Sequence, residues 1–447
     1  MKFNKKRYYI YYLLLYYKME QPAEALSTLL SYNQKRMRAM SSRSYRVISP
    51  STNTSSATCG QTIEFRIPGN QSSSFLDNST MYFRVNVANN NGAAINLEGK
   101  GGAYSLFMKK ITISTAGQTI SEVNEFGILH SCFVDTDSDT TYGANTAKVL
   151  FGASDTGVGQ AIAAGASATF VLPNILNNLA NSRKYIPLFG RDAITIRIET
   201  NSALLGCVGG ATDAEITFSD LNLIYNVIEL SAPAMTAVAE SVGNEFTIVS
   251  DDYRHTSATV SASANQTLVA NLGFAFSSVN RILIAQQNTA RLLADKVCVG
   301  NRCRRDLEEV NLLLNGEQLP ARPIKVSDQG SEALAETLIA DRSLVAYDHD
   351  SRIAVGAGYT AQDPTGADSA NTGSFLVEID TESMRSPMDE SFGGLYSGLS
   401  SIGSVFQAQL KYGSTAPSGS VQVHFWAQYT SLLTLNMNTN QQFLVAV

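Results

Sequence analysis

From about Tyr45 onward, apolar and polar residues alternate in short runs. Ile63, Phe65 and Ile67 alternate with Thr62, Glu64 and Arg66; Met81, Phe83, Val85 and Val87 alternate with Tyr82, Arg84 and Asn86; Ile194, Ile196 and Ile198 alternate with Thr195, Arg197 and Glu199. A period of two puts one face of each strand in a core and the other in water. Asn, Gly, Ser and Asp fill the gaps, as turns require. Many such strands with few helices between them predict antiparallel sheets packed as sandwiches. The helical period shows in two places. Leu26, Leu29, Leu30 and Met37 follow Pro22 at helical spacing, and an amphipathic helix is predicted from Ser331, as N-cap, through Ile339.

The strand pattern is written twice. The first copy closes with Asp220-Leu221-Asn222-Leu223-Ile224-Tyr225-Asn226-Val227-Ile228-Glu229-Leu230, the second with Val421-Gln422-Val423-His424-Phe425-Trp426-Ala427-Gln428-Tyr429 and on through Leu435. Earlier in each copy a strand ends in a glycine turn and restarts: Ile111-Thr112-Ile113 leads to Gly117, and Val310-Asn311-Leu312-Leu313-Leu314 leads to Gly316. The offset of about 200 residues is that of a whole β domain rather than a solenoid repeat. The expected organisation is an arm over residues 1–43, a first sandwich over 44–232, a linker over 233–243 opened by Ser231-Ala232-Pro233, and a second sandwich over 244–447.

Composition changes the picture in three ways. Of 447 residues only 16% are charged, against roughly 25% in an average soluble domain. A surface poor in charge suits a protein covered by copies of itself, and also a secreted β protein with polar loops. The net charge of -6 excludes a general nucleic-acid binder, yet the first stretch is basic: Lys5, Lys6, Arg7, Lys35, Arg36 and Arg38 are candidate contacts to a membrane or genome, or a solvated basic helix end. Five scattered cysteines form no disulfide framework and fit a reducing compartment; Cys298 and Cys303 lack nearby histidines for a zinc site. No run is long and apolar enough to span a bilayer. For Tyr8–Tyr17 three readings stay open: a leader cleaved near Ala23-Glu24-Ala25, an interfacial segment, or an upstream extension before a start at Met19, Met37 or Met40.

Catalytic motifs fail on their own chemistry. Asp155-Thr156-Gly157 has no second copy to share a proton, since Asp368-Ser369 is followed by Ala370. Asp135, Asp137 and Asp139 alternate like calcium ligands, but Thr140 stands where the loop needs glycine; a solvated acidic turn is expected. Asp348-His349-Asp350 has no nucleophile elbow, and Gly356-Ala357-Gly358 lacks the Gly-Lys-Ser/Thr that cradles phosphates. The stretch from Gly356 to Gly373 is a long polar loop. Asn53, Asn70, Asn78 and Asn265 head glycosylation sequons of the kind chance supplies in so Asn/Ser/Thr-rich a chain. No catalytic residue, metal or cofactor is expected.

Several local features carry a resemblance. Phe65-Arg66-Ile67-Pro68 is followed by Phe75-Leu76-Asp77-Asn78-Ser79-Thr80-Met81-Tyr82-Phe83-Arg84-Val85; Arg183-Lys184-Tyr185-Ile186-Pro187-Leu188-Phe189 precedes Ile194-Thr195-Ile196-Arg197-Ile198; and Phe425-Trp426-Ala427-Gln428-Tyr429 closes the second copy. In order and duplication, from Tyr45 to Leu435, the chain resembles the double jelly-roll major capsid proteins of tailless icosahedral DNA viruses, the lineage of adenovirus hexons, membrane-containing phages, virophages and polinton-like viruses. The resemblance implies an all-β fold of two tandem eight-stranded antiparallel jelly rolls with few short helices, plus a partly helical N-terminal arm. It implies a structural protein and no enzyme, whose homotrimers have pseudo-hexagonal outlines and tile a shell. The implied partners are itself, neighbouring capsomers, penton and minor capsid proteins, and an internal membrane or genome reached by the arm. The implied location is the virion, assembled inside a host cell. The residues leave open an alternative, a secreted or surface β-sandwich protein that binds glycans or partner proteins; a bilobal hydrolase comes third.

Overall fold

The computed structural model describes residues 41–447 except 72, 138–144, 155–157, 183, 209–211, 243–244, 289–298, 328–329, 342–352, 354–358, 360–372, 384–396, 416–418, 437–440 and 447. The basic arm residues and the helical pattern after Pro22 therefore lie outside the described residues. So do Cys298, Asp155-Thr156-Gly157, Asp348-His349-Asp350 and Gly356-Ala357-Gly358.

The first half of the chain runs through β1 (Ser41–Pro50), β2 (Ser56–Thr58), β3 (Thr62–Ile67), β4 (Ser74–Asn89), β5 (Ile95–Glu98), β6 (Lys110–Thr115), β7 (Gln118–Asn124), β8 (Val158–Ile162), β9 (Ser167–Pro173), β10 (Ile186–Pro187), β11 (Ile194–Glu199), β12 (Cys207–Val208) and β13 (Ile216–Leu230). The second half runs through β14 (Glu245–Val260), β15 (Thr267–Asn271), β16 (Val279–Asn288), β17 (Leu307–Leu314), β18 (Glu317–Lys325), β19 (Val377–Asp380), β20 (Phe406–Tyr412), β21 (Val421–Asn436) and β22 (Gln441–Ala446). Among the described residues six α-helices interrupt them, α1 (Ala103–Phe107), α2 (Phe126–Asp137), α3 (Thr146–Phe151), α4 (Ala203–Gly206), α5 (Ala232–Val242) and α6 (Ser331–Ala340), besides a short 3-10 turn at Asp213–Glu215.

Both halves build the same pair of sheets. One sheet runs β1-β13-β4-β10 in the first half and β14-β21-β16-β19 in the second. The facing sheet runs β3-β11-β6-β7 and β15-β20-β17-β18. Each closing strand sits inside its sheet, β13 between β1 and β4 and β21 between β14 and β16, as a jelly roll requires. The first half adds β2 and β9 to its β1-β13-β4-β10 sheet and a small sheet β12-β5-β8; the second adds β22 beside β21.

The alternating residues fill the cores. Phe65, Ile196 and Ile113 stand in register across β3, β11 and β6, and none is measurably exposed. Phe65 meets Phe83 of the other sheet at 5.2 Å between ring centroids, so a row on one sheet packs on a row of the next. In the second half Leu312 pairs with Ala408, and Ile284 with Phe425, all fully buried.

Two local expectations change, and one helix was not expected. The linker over 233–243 is mostly the helix α5: Pro233 falls in the first turn, where its missing N–H costs nothing, and alanines carry the helix on. Ser331 is the first residue of α6 rather than its cap; Gly330, with φ of 72°, holds the cap position. The helix α2 had no periodic signal. Phe126 through Thr136 are all buried, so its apolar residues form no stripe.

The paired glycine turns are tight hairpins. Ala116 and Gly117 have φ of 48° and 82°, and Asn315 and Gly316 have 52° and 88°. Two residues at positive φ are what a hairpin turn matched to strand twist needs. A Cβ at either glycine would meet open space, so only backbone conformation resists it. Gly117→Ala and Gly316→Ala are each expected to destabilise by about 1–2 kcal/mol, equally in the two halves, as read by denaturant unfolding.

A buried polar seam as the candidate functional site

Charged side chains from both halves meet where the two sandwiches touch. Lys100 lies between β5 and α1, Asp135 lies in the last turn of α2, and Arg302 precedes β17. The Arg302 side chain is fully buried. Its Nη2 donates to Asp135 Oδ2, and its Nη1 donates to Ser131 Oγ at 2.8 Å and Cys132 Sγ at 3.1 Å. It also donates to the carbonyls of Phe375 at 3.1 Å and Ser374 at 3.2 Å. Lys100 Nζ donates to the same Asp135 oxygen at 2.7 Å and to the Gly373 carbonyl at 3.1 Å. Glu98 completes the set by accepting the Lys100 and Gly101 backbone N–H groups, at 3.0 and 2.6 Å, and the Ser105 hydroxyl at 2.9 Å. Two cations thus face two carboxylates.

Burial pulls Lys100 below the ordinary lysine range, against the opposing pull of Asp135. Burial acts on Arg302 in the same direction, but Cys132 and Asp135 outweigh it, and the guanidinium ends above its usual value. Backbone closeness is part of the site. A Cβ on Gly300 would sit 2.6 Å from Glu98 Oε1, and one on Gly127 would sit 2.9 Å from Val299 Cγ1.

Around this lock the seam continues. Phe133 of α2 stacks edge-on against Tyr253 at 5.6 Å and lies 5.0 Å beneath the Arg281 guanidinium. Arg281 in turn pairs with Glu378 at 2.8 Å and Asp341 at 3.3 Å. Ser121 of β7 donates to Asp252 at 2.8 Å, and Tyr429 donates to the same carboxylate at 3.0 Å. Burial pushes Asp252 up to about 7. Trp426 Nε1 donates to the Asn124 carbonyl at 3.2 Å. Beside it His255 and His424 share a 3.0 Å hydrogen bond; His424 stacks on the Trp426 ring and His255 lies tilted against it. Burial pushes these imidazoles down to about 4 and about 3, helped by the Arg254 charge on His255 and by each other for His424.

The acidic turn expected at Asp135, Asp137 and Asp139 is corrected here. Asp135 is a buried helical residue held by Arg302 and Lys100, because α2 carries it into the seam; Asp137 ends α2 and Asp139 lies outside the described residues. Among the described residues no group of three or more His, Cys, Asp or Glu is disposed to hold a metal ion. Cys59, Cys132 and Cys207 are buried free thiols. The sequon residue Asn78 is buried and donates to the Leu179 and Ser182 carbonyls at 2.9 and 2.7 Å, which leaves it closed to a glycan. An apolar cavity of about 370 Å³ is lined by Phe75, Tyr185 and Ile228 from the first half and Phe246 and Ile248 from the second. The candidate arm residues Lys5, Lys6, Arg7, Lys35, Arg36 and Arg38 are not among the described residues. No motif announced the seam: its members come from stretches scattered along the chain, and only folding brings them together.

The seam can hold two sandwiches as one body; its polar groups are buried and largely satisfied by one another rather than turned to a cleft. Removing one member of a buried charged set leaves the others uncompensated. Arg302→Ala is expected to cost about 3–5 kcal/mol in denaturant unfolding, while Arg197→Ala, which breaks the surface pair with Glu64, costs under about 1 kcal/mol. The histidine pair sets a pH dependence. Unfolded histidines bind protons near pH 6.5, whereas His255 and His424 stay neutral to about 4 and about 3, so the unfolded state binds more protons between. Their contribution to stability is expected to fall as pH drops from about 6.5 towards 4, and His424→Leu to flatten that slope in thermal melts across the range.

No protein-family model and no curated protein matches the chain. Solved structures do. The PBCV-1 virus capsid matches with a TM-score of 0.62 at 10% identity, over 93% of this chain and 100% of that one. The Faustovirus major capsid protein matches with a TM-score of 0.58 at 10% identity, over 95% and 97%. A chain of the Sputnik virophage matches with a TM-score of 0.55 at 12% identity, over 96% and 94%. Nearly the whole chain is covered in each case, both jelly rolls included, and the fold of this chain is that of the double jelly-roll major capsid proteins.

Proposed function

We propose that the chain is a viral major capsid protein whose homotrimers form pseudo-hexagonal capsomers of an icosahedral shell. The observation that carries the reading is the duplication in three dimensions: the same two sheets in the same strand order, built twice in one chain and joined through a buried charged seam. Three such chains supply six similar units, which is what a hexagonal outline needs from a trimer. The fold shared with the PBCV-1 virus capsid and the Faustovirus major capsid protein supports it.

In this reading residues 44–232 and 244–447 are the two jelly-roll domains, 233–243 joins them, and 1–43 is an arm. The arm's Lys5, Lys6, Arg7, Lys35, Arg36 and Arg38 face the virion interior and contact an internal membrane or the genome. Neighbouring capsomers, penton and minor capsid proteins are the other partners. The protein works in the virion, is assembled inside the host cell, and acts by self-association rather than by catalysis.

Gel filtration with light scattering, followed by negative-stain microscopy of the same peak, tests this on the full chain. A stable trimer with a hexagonal outline is expected. A clean monomer at micromolar concentration would replace the reading with that of a β-sandwich protein binding glycans or partner proteins.

A further inference from the structure

Beside the balanced charges around Asp135, the seam holds a second set that does not balance. Three carboxyl groups meet one guanidinium. Arg281 of β16 reaches Glu378 of β19 at 2.8 Å and Asp341, just past α6, at 3.3 Å. Asp137, the last residue of α2, brings the third carboxyl from the first sandwich; it meets Asp341 side chain to side chain and accepts the Thr136 hydroxyl at 3.1 Å. The Glu378 side chain is fully buried and that of Asp341 is 10% exposed. Gln428, Tyr253 and the Phe133 ring hold Arg281 from its other sides.

Neighbouring groups do not make up the deficit. Arg302 pulls on Glu378, but Arg302 and Lys100 are both engaged with Asp135. Burial keeps Tyr253 neutral. Fully ionised, the set would hold three negative charges against one positive, away from water, and like charges at such range cannot all ionise. Two carboxyls that meet oxygen to oxygen form a hydrogen bond only when one keeps its proton, since ionised carboxylates only accept. Glu378 Oε1, fully buried, has no hydrogen-bond partner among the described residues, which marks the same missing donor. Loss of water around its carboxyl, with Asp341 next, pushes Asp137 up to about 7, and burial raises Asp341 and Glu378 too. The rest of Asp137 stays open at the helix end, which gives protons a way in.

We propose that Asp137, Asp341 and Glu378 share a proton up to neutral pH and give it up above, so that the seat of α2 on the second sandwich is a pH-sensitive contact. The proton joins the two sandwiches, because Asp137 belongs to the first and its two partners to the second. The three carboxyls titrate as one unit. Groups kept protonated by folding stabilise the fold at low pH, and that contribution is lost as pH rises from the ordinary aspartate value of 3.8 through about 7. The sign is opposite to that of the histidine pair. The inference stands independently of the capsomer reading.

Asp137→Asn puts an amide where the protonated carboxyl stands, and an amide donates to Asp341 at every pH. Denaturant unfolding of the full chain at pH 5 and pH 8 compares variant with wild type; the histidines act alike in both. From pH 5 to pH 8 the stability gap is expected to widen in favour of the variant by at least about tenfold in the unfolding constant. Should circular dichroism show the variant unfolded, Asp341→Asn takes its place. Infrared difference spectra between pH 6 and pH 9 give a readout on the wild type itself. A protonated-carboxyl band is expected to be lost with rising pH, and to be weaker in Asp137→Asn, where Asp252 still contributes. A gap that stays constant with pH, or a wild type without that band, would overturn the proposal.

Discussion

The structure turns on one buried group of charges. Arg302 enters from the second half of the chain and ends on Asp135 of the first, where Lys100 already sits. Charges removed from water are costly unless each finds its partner in good geometry. Here the partners come from different halves, and the carbonyls of residues 373–375 complete the set. Neither sandwich can satisfy these groups alone. The lock therefore couples the two folds, and the glycines at 127 and 300 let the surrounding backbone come close enough to make it.

The duplication is strict where sheets must close and loose elsewhere. Strand order and the position of the glycine hairpin are the same in both halves, because they define how a jelly roll buries its core. The connections diverge. The first half follows its hairpin with α2, whose residues are buried almost without exception and whose Phe133 reaches the second sandwich. The second half follows its hairpin with α6, which packs on β19 and β18 of its own sandwich. Divergence of loops on a constant sheet frame lets two similar units take different neighbours.

How far the sequence could be read follows from the range of the interactions involved. Alternation reports burial on one face of a strand, a local property, so strands such as Ile194–Glu199 and the two hairpins were readable from neighbouring residues alone. The helix α2 escaped because its burial is complete, and complete burial leaves no period. Asp135 drew attention as part of an acidic run and was misplaced, since what decides its environment is Arg302, 167 residues away.

The amino-acid sequence by itself determined the sheet content, the twofold repeat and the poverty of surface charge, because these depend on patterning over a few residues and on composition. Only the tertiary structure decided which edges meet, as β7 and β14 do, and which charges are buried. Those outcomes depend on contacts between residues from 35 to more than a hundred positions apart, and no local pattern encodes them.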